Sequence, residues 1–447
     1  MMPPQQADPR PRGDVSPAVG LVGLGGLLAW ILLCRNWPVV ADILALPGPR
    51  LPLSGPHAAL AGVLASALPM ALWSIVVDKV HRRASTGIDW DSPRPLGAVV
   101  DVSITKLAGL WATWAVIGFF YCVARWYWQG SYLFSMKVIG FAAVPMFVLS
   151  VPYVLWLDRR LVQPRDGAWH FGALLIGREA CDMAEVWAHA RGWAVKGFFT
   201  AFMISILPSG FAAIVTADLA GLAANPVRAS VLLTELLFVI DVQIGTAGYL
   251  FTFKPLDAQI RSANPYLAGW LAALLCYPPF VLMAPGNVLS YQANTADWAY
   301  WFAGNAPLLW AWGAVLVGLT GIYAWATFAF GIRFSNLTYR GVITSGPYRF
   351  TRHPAYLAKN AYWWCSTLPF LVTSHSLTDA VRNTCFLALT SAVYYWRART
   401  EEQHLLAEDA HYRAYHAWMA RNAPITRTLR RLGAAMRPRV APLLPAE

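Results

Sequence analysis

Long apolar blocks return along the whole chain, and no other feature restricts its fold as strongly. Ten can be marked, at about 18–34, 58–77, 103–127, 138–157, 197–217, 229–253, 265–285, 308–331, 361–374 and 380–396. About 20 consecutive apolar residues are enough for an α-helix to cross the hydrocarbon core of a bilayer. Composition agrees: 57% of the 447 residues are hydrophobic and 13% are charged, against about 25% charged in soluble proteins. The expectation is an all-α polytopic membrane protein of about ten transmembrane helices, closing with a helical hairpin formed by the last two blocks.

Charge sets an orientation. The net charge of +12 is read as topology and not as nucleic-acid binding, because Lys and Arg collect on the cytoplasmic side of membrane proteins. The basic loops are Asp78–Arg83, Asp158–Arg165, Lys254–Arg261, the segment 333–360 and the tail after Arg397, whereas 287–307 carries no basic residue. Ten spans with both termini cytoplasmic, in an inner or plasma membrane, fit that bias. The first block lacks a prompt A-x-A cleavage site, so it is read as an uncleaved span. Residues 1–17 read as a disordered cytoplasmic tail, 18–305 as a multi-span region, 306–425 as a C-terminal core and 426–447 as a basic, Pro-rich tail.

Several smaller signals are read conservatively. Gly20, Gly23, Gly25 and Gly26 lack GxGxxG spacing and no strand precedes them, so they serve close helix packing. The six cysteines have no CxxC spacing and imply neither zinc nor a disulfide framework. The long loop 158–193 mixes Arg with Trp and Phe and suits helices lying in the membrane interface. Asp182, Glu185 and His189 share a helical face there; they are taken as a solvated face, and no metal is expected. Lys106 is expected to snorkel to the interface. Glu235 and Asp241 lie inside an apolar block, where carboxylates are functional candidates by default, or structural ones paired with Lys106 or a backbone group.

The chemistry concentrates in RFSNLTYRGVITSGPYRFTRHPAYLAKN, Arg333–Asn360. Gly346-Pro347 is a turn signal. Arg352-His353-Pro354 sets a second constraint, because the residue before Pro avoids helical geometry while Pro suits a first helical turn. His353 then falls at a helix N-cap, beside free backbone donors that favour anionic ligand groups. Tyr339, Tyr348 and Tyr356 offer ring faces. After one apolar hairpin, RTEEQHLLAEDAHYRAYHAW places Arg399, Glu401 and Glu402 on the same side, leading into an amphipathic surface helix.

These residues resemble a known family. GVITSGPYRFTRHPAY, a short apolar hairpin and RTEEQHLL are similar to the catalytic core of the isoprenylcysteine carboxyl methyltransferase family, with phospholipid methyltransferases as relatives. The likeness covers roughly 320–420. It implies an integral membrane methyltransferase that uses S-adenosylmethionine without a Rossmann domain. By the same resemblance, Arg340, Gly341, Val342, Ile343, Tyr348, His353, Pro354, Ala355 and Tyr356 form the cofactor pocket. Glu401 or Glu402 holds the cofactor's amino group, and Arg399 and Arg352 are the catalytic candidates, Arg399 on the acceptor side. The acceptor is a hydrophobic small molecule or lipidated group bearing a carboxylate, thiol or amine, reached from the membrane lipids. Sterol reductases, which use NADPH, carry a similar RHPxY segment and about ten spans. Their tails differ from the Arg-Thr-Glu-Glu-Gln found here. A transporter built on Glu235 and Asp241 is the third reading.

Overall fold

The computed structural model describes residues 10–177 and 179–435, and those residues are mostly helical. The first half holds α1 (Pro17–Arg35), α2 (Trp37–Ile43), α3 (Pro56–Val76), α4 (Val100–Val123), α5 (Tyr132–Asp158), α6 (Gly167–Ile176) and α7 (Met183–Val215). It is followed by α8 (Pro226–Leu250), α9 (Leu267–Leu274), α10 (Trp298–Trp301) and α11 (Ala306–Phe330). The C-terminal part adds α12 (Pro354–Thr367), α13 (Leu377–Glu408), α14 (Ala410–Asn422) and α15 (Pro424–Ala435). Two short strands, β1 (Ser262–Ala263) and β2 (Thr338–Tyr339), pair antiparallel with Ser262 opposite Tyr339. The outer parts of the expected tails, 1–9 and 436–447, lie outside the described residues.

Helix starts follow local chemistry. Ser16 caps α1 ahead of Pro17, and Asn225 caps α8 ahead of Pro226, accepting from Arg228 N–H at 3.0 Å. Asp182 caps α7 through Ala184 N–H at 2.8 Å. Its neighbour His189 meets Thr113 Oγ1 at 2.8 Å, so this histidine joins two helices and does not belong to a solvated face.

Six helices are long and apolar enough to cross a membrane: α1, α3, α4, α5, α7 and the stretch Ala306–Arg333. The expected count of about ten is therefore not reproduced by length and composition. The block at 265–285 forms helix only over Leu267–Leu274, and that at 361–374 is helical only to Thr367, the end of the 14-residue α12. α8 is long enough, but Arg228, Glu235 and Asp241 lower its apolarity. α13 runs without a break for 32 residues, so Glu401 and Glu402 extend the hairpin helix itself and precede the separate helix α14.

The core is organised around α1, α3, α7, α8 and α11, whose Leu27, Met70, Leu207, Phe211 and Ile244 are almost wholly buried. Close approach explains the first block's glycines: a Cβ on Gly26 would meet the Ala65 carbonyl at 2.1 Å, while Gly25 faces nothing within 4 Å. Lys106 does not snorkel. It is 4% exposed and pairs with Asp158 at 2.5 Å and Asp166 at 3.1 Å, because the loop after α5 folds back over it. Asp241 is buried with a different solution, accepting hydrogen bonds from the hydroxyls of Tyr323, at 2.9 Å, and Thr327.

The basic loops gather on one face. Asp89 N–H donates to Arg160 O at 2.7 Å, Arg94 N–H to Arg159 O at 2.6 Å, and Arg261 N–H to Tyr339 O at 2.9 Å. At the other end, Asn294 Nδ2 donates to Asp379 at 2.9 Å and Thr373 N–H to Asn294 O at 2.9 Å, tying the stretch before α11 to the turn of the α12–α13 hairpin.

Candidate functional site

The segment between α11 and α12 folds over the basic-face ends of α8, α11, α12 and α13. Gly331 ends α11 with φ +52°. β2 then pairs with β1, and Gly346, with φ +58°, opens the short turn Gly346–Arg349. His353 is the N-cap residue of α12 and Pro354 its first residue, as the RHP triplet predicts. Tyr348 is locked from behind: its carbonyl accepts from Tyr415 of α14 at 2.7 Å.

These elements enclose a cavity of about 160 Å³. Ten of the thirteen expected site residues line it: Arg340, Gly341, Val342, Ile343, Tyr348, Arg352, His353, Ala355, Tyr356 and Glu401. Pro354 is buried as the helix start. Arg399 is outside the cavity, with 61% of its side chain exposed, 3.5 Å from Glu402. Glu402 lies behind the wall.

The two glutamates have different surroundings. Glu402 is 4% exposed and is met by Arg352 Nε at 2.9 Å, His353 Nε2 at 3.0 Å and His416 Nε2 at 3.7 Å. Burial pushes its carboxyl up, but hydrogen bonds from His353 and His416 and the charges of His353 and Arg352 outweigh that, holding it below the usual carboxylate range. Glu401 faces the cavity and accepts a hydrogen bond from Tyr356 OH. The Tyr356 ring stacks on His353 with centroids 5.7 Å apart and planes within 5°. Sequence register leaves the choice between these glutamates open; the cavity is reached by Glu401.

Arg340 is 3% exposed, and its guanidinium donates to the carbonyls of Ala258, Gly248, Phe334 and Ile332. It staples the loop, leaving mainly backbone to face the cavity. His404, another lining residue, lies 2.9 Å from Ser262 Oγ; burial, aided by the charge of Arg191, pushes its imidazole down to about 4, so it is neutral at pH 7.

The cavity also holds groups that sequence reasoning missed. Arg397, 3% exposed, lies over the rings of Tyr356, Tyr394 and Tyr277 at 5.0, 5.1 and 5.6 Å. It donates to Asn336 Oδ1 at 3.3 Å, and its buried Nε has no partner. Asn336 in turn donates to Tyr249 OH at 2.9 Å and Tyr277 OH at 3.3 Å, so the asparagine of the Asn-Leu-Thr sequon is part of the wall. Lys359 lies over Tyr323, Trp363 and Tyr394 at 5.3–5.7 Å. Among the described residues, neither cation has a carboxylate within ion-pair distance. The available signal was the tyrosine pair Tyr394-Tyr395 just ahead of Arg397, within α13. Tyr277, from a proline-flanked stretch far upstream, gave none.

Residues 316–407 match the model of the isoprenylcysteine carboxyl methyltransferase (ICMT) family. The C-terminal core carries this family's signature. The match takes in the C-terminal part of α11, the loop over the cavity, α12 and nearly all of α13, and therefore both glutamates, Lys359 and Arg397. At family level it marks a membrane methyltransferase, in keeping with the long apolar helices. No curated protein and no solved structure matches the chain.

Proposed function

We propose that this protein is an integral-membrane, S-adenosylmethionine-dependent methyltransferase acting on a hydrophobic acceptor through an anionic oxygen or sulfur. The observation that carries the reading is the cavity itself. One part of its wall offers loop backbone and the Glu401 carboxylate, and another offers two cations, Arg397 and Lys359, that have no carboxylate within ion-pair distance among the described residues. That set fits a zwitterionic sulfonium: Glu401 would bind the amino group, the Arg340–Ile343 backbone would run beside the nucleoside, and His353, at the head of α12, would face an anionic group.

When bound, S-adenosylmethionine supplies an electrophilic methyl on a positively charged sulfur. Arg397 and Lys359 attract and orient an anionic acceptor, and they repel an ammonium group; carboxylate or thiolate is thereby favoured over amine. The tyrosine rings exclude water from the reacting atoms. Alignment at close range is the main requirement of an in-line displacement, and an already anionic acceptor needs no base. Both termini are read as cytoplasmic, which presents the cavity to a water-soluble cofactor while its far end meets the bilayer.

The test is to bind radiolabelled S-adenosylmethionine and NADPH side by side to protein in lipid nanodiscs. Saturable S-adenosylmethionine binding without NADPH binding is expected. NADPH binding alone would establish the reductase reading instead. Incubation with methyl-labelled cofactor and a membrane extract should then give an organic-soluble product; base-labile label marks an ester and base-stable label a thioether, whereas labelled amine would exclude the anionic acceptor.

A further inference from the structure

Asp14, three residues ahead of α1, lies against the loop Arg340–Ile343. Its backbone N–H donates to the Val342 carbonyl at 2.7 Å, and its Oδ2 accepts from Val342 N–H at 2.6 Å. Arg83 donates to the Asp14 carbonyl at 2.6 Å, and Arg261 lies 3.9 Å from its carboxylate. On the loop's other flank, Arg333 donates to the Arg340 carbonyl at 3.1 Å while bonding the buried Asp257 at 2.6 Å. Between these holds sits Gly341, with φ +107°, where a Cβ would meet Arg333 Nη1 at 2.7 Å and Asp14 Oδ2 at 2.8 Å. Glycine, which has no Cβ, takes this backbone conformation freely, and the close approach of Arg333 and Asp14 leaves no room for a side chain there. Asp14, Arg83, Asp257 and Arg261 all lie outside the stretch 316–407 that carries the family signature.

We propose that Asp14 is a positioning residue for the cofactor loop. The reciprocal bonds to Val342 hold Gly341 and its neighbours in the conformation that lines the cavity, so a segment from the start of the chain completes a site built by its end. Arg83 ties Asp14 to the α3–α4 connection and keeps the clamp in place. The ligand in this proposal rests on the S-adenosylmethionine reading above; the clamp does not.

Full-length wild-type, Asp14→Ala and Asp14→Asn proteins in nanodiscs test it. Hydrogen exchange without ligand should accelerate about tenfold in peptides covering 337–345 of Asp14→Ala, as expected for loss of about one net hydrogen bond. Asp14→Asn keeps an acceptor oxygen for Val342 N–H and should restore most of the protection. By equilibrium dialysis, the Kd for radiolabelled S-adenosylmethionine should rise about tenfold in Asp14→Ala and largely recover in Asp14→Asn, at unchanged Tm. Unchanged exchange in Asp14→Ala overturns the clamp, and altered exchange with unchanged Kd overturns its positioning role. A wild-type protein that fails to bind S-adenosylmethionine, with the exchange contrast intact, overturns the reading of the pocket and leaves the clamp standing.

Discussion

Glu402 is surrounded by Arg352, His353, Arg399 and His416, whereas Glu401 has one tyrosine hydroxyl and the cavity. Neutralising them should therefore do different things. Glu401→Gln is expected to raise the Kd for S-adenosylmethionine about tenfold or more, the value of a charge-assisted hydrogen bond, with Tm unchanged. Glu402→Gln breaks a buried ionic cluster and should destabilise the protein by about 3 kcal/mol, read as a fall in Tm. Acid should act at Glu402 and at His404. Glu402 titrates below its ordinary 4.5 when folded, so its stabilisation is complete above that pH and is lost as pH falls toward the folded value. His404 is held down to about 4 from 6.5; between those values the unfolded chain binds a proton that the folded one refuses, and stability falls there too. Thermal unfolding from pH 7 to 3 should show a steady loss of Tm, and Glu402→Gln should flatten its lower end.

Among the elements, α1 gives the sharpest contrast. Gly26→Ala drives a Cβ into the Ala65 carbonyl of α3, whereas Gly25→Ala meets nothing. The first should destabilise by about 1–3 kcal/mol through forced separation of the helices and the second should be neutral; denaturation of the two variants in one detergent decides. The packing role of Gly20, Gly23 and Gly26 was legible because the spacing excluded a nucleotide loop, whereas Gly25, expected to pack with them, meets nothing. Helix existence was legible from apolar blocks, and the start of α12 from Arg352-His353-Pro354. The span count was not, because a window of apolar residues does not distinguish the unbroken α11 from 265–285, where helix stops after Leu274 ahead of Pro278 and Pro279. Lys106 misled for a related reason: its partners Asp158 and Asp166 sit more than fifty positions away, and a sequence alone does not show which loop folds over which helix.

On the scale of the whole molecule, the loops grouped by charge bias do assemble on one face, and the cavity opens among them. Which side of the membrane that face meets is checked by labelling. In a background without Cys122 and Cys385, both exposed, Ser92→Cys should react with an impermeant maleimide only in inverted vesicles and Ala223→Cys only in intact cells. The opposite pattern would reverse the assigned orientation. The site itself was legible where contact is local: ten expected residues share one cavity. Tyr277 and Tyr249 were illegible because their role depends on a return of the chain that no motif announces. Their position has a consequence for how such enzymes diverge. The part matched by the family supplies the loop, the glutamates and the cations, while the rings that brace Arg397 and Asn336 come partly from upstream. On this reading a part of the acceptor's berth, Tyr277 with Tyr249 behind it, is encoded outside the stretch that carries the family signature. Selection can then reshape the berth, trading one acceptor for another, while the residues that handle the methyl donor stay as they are.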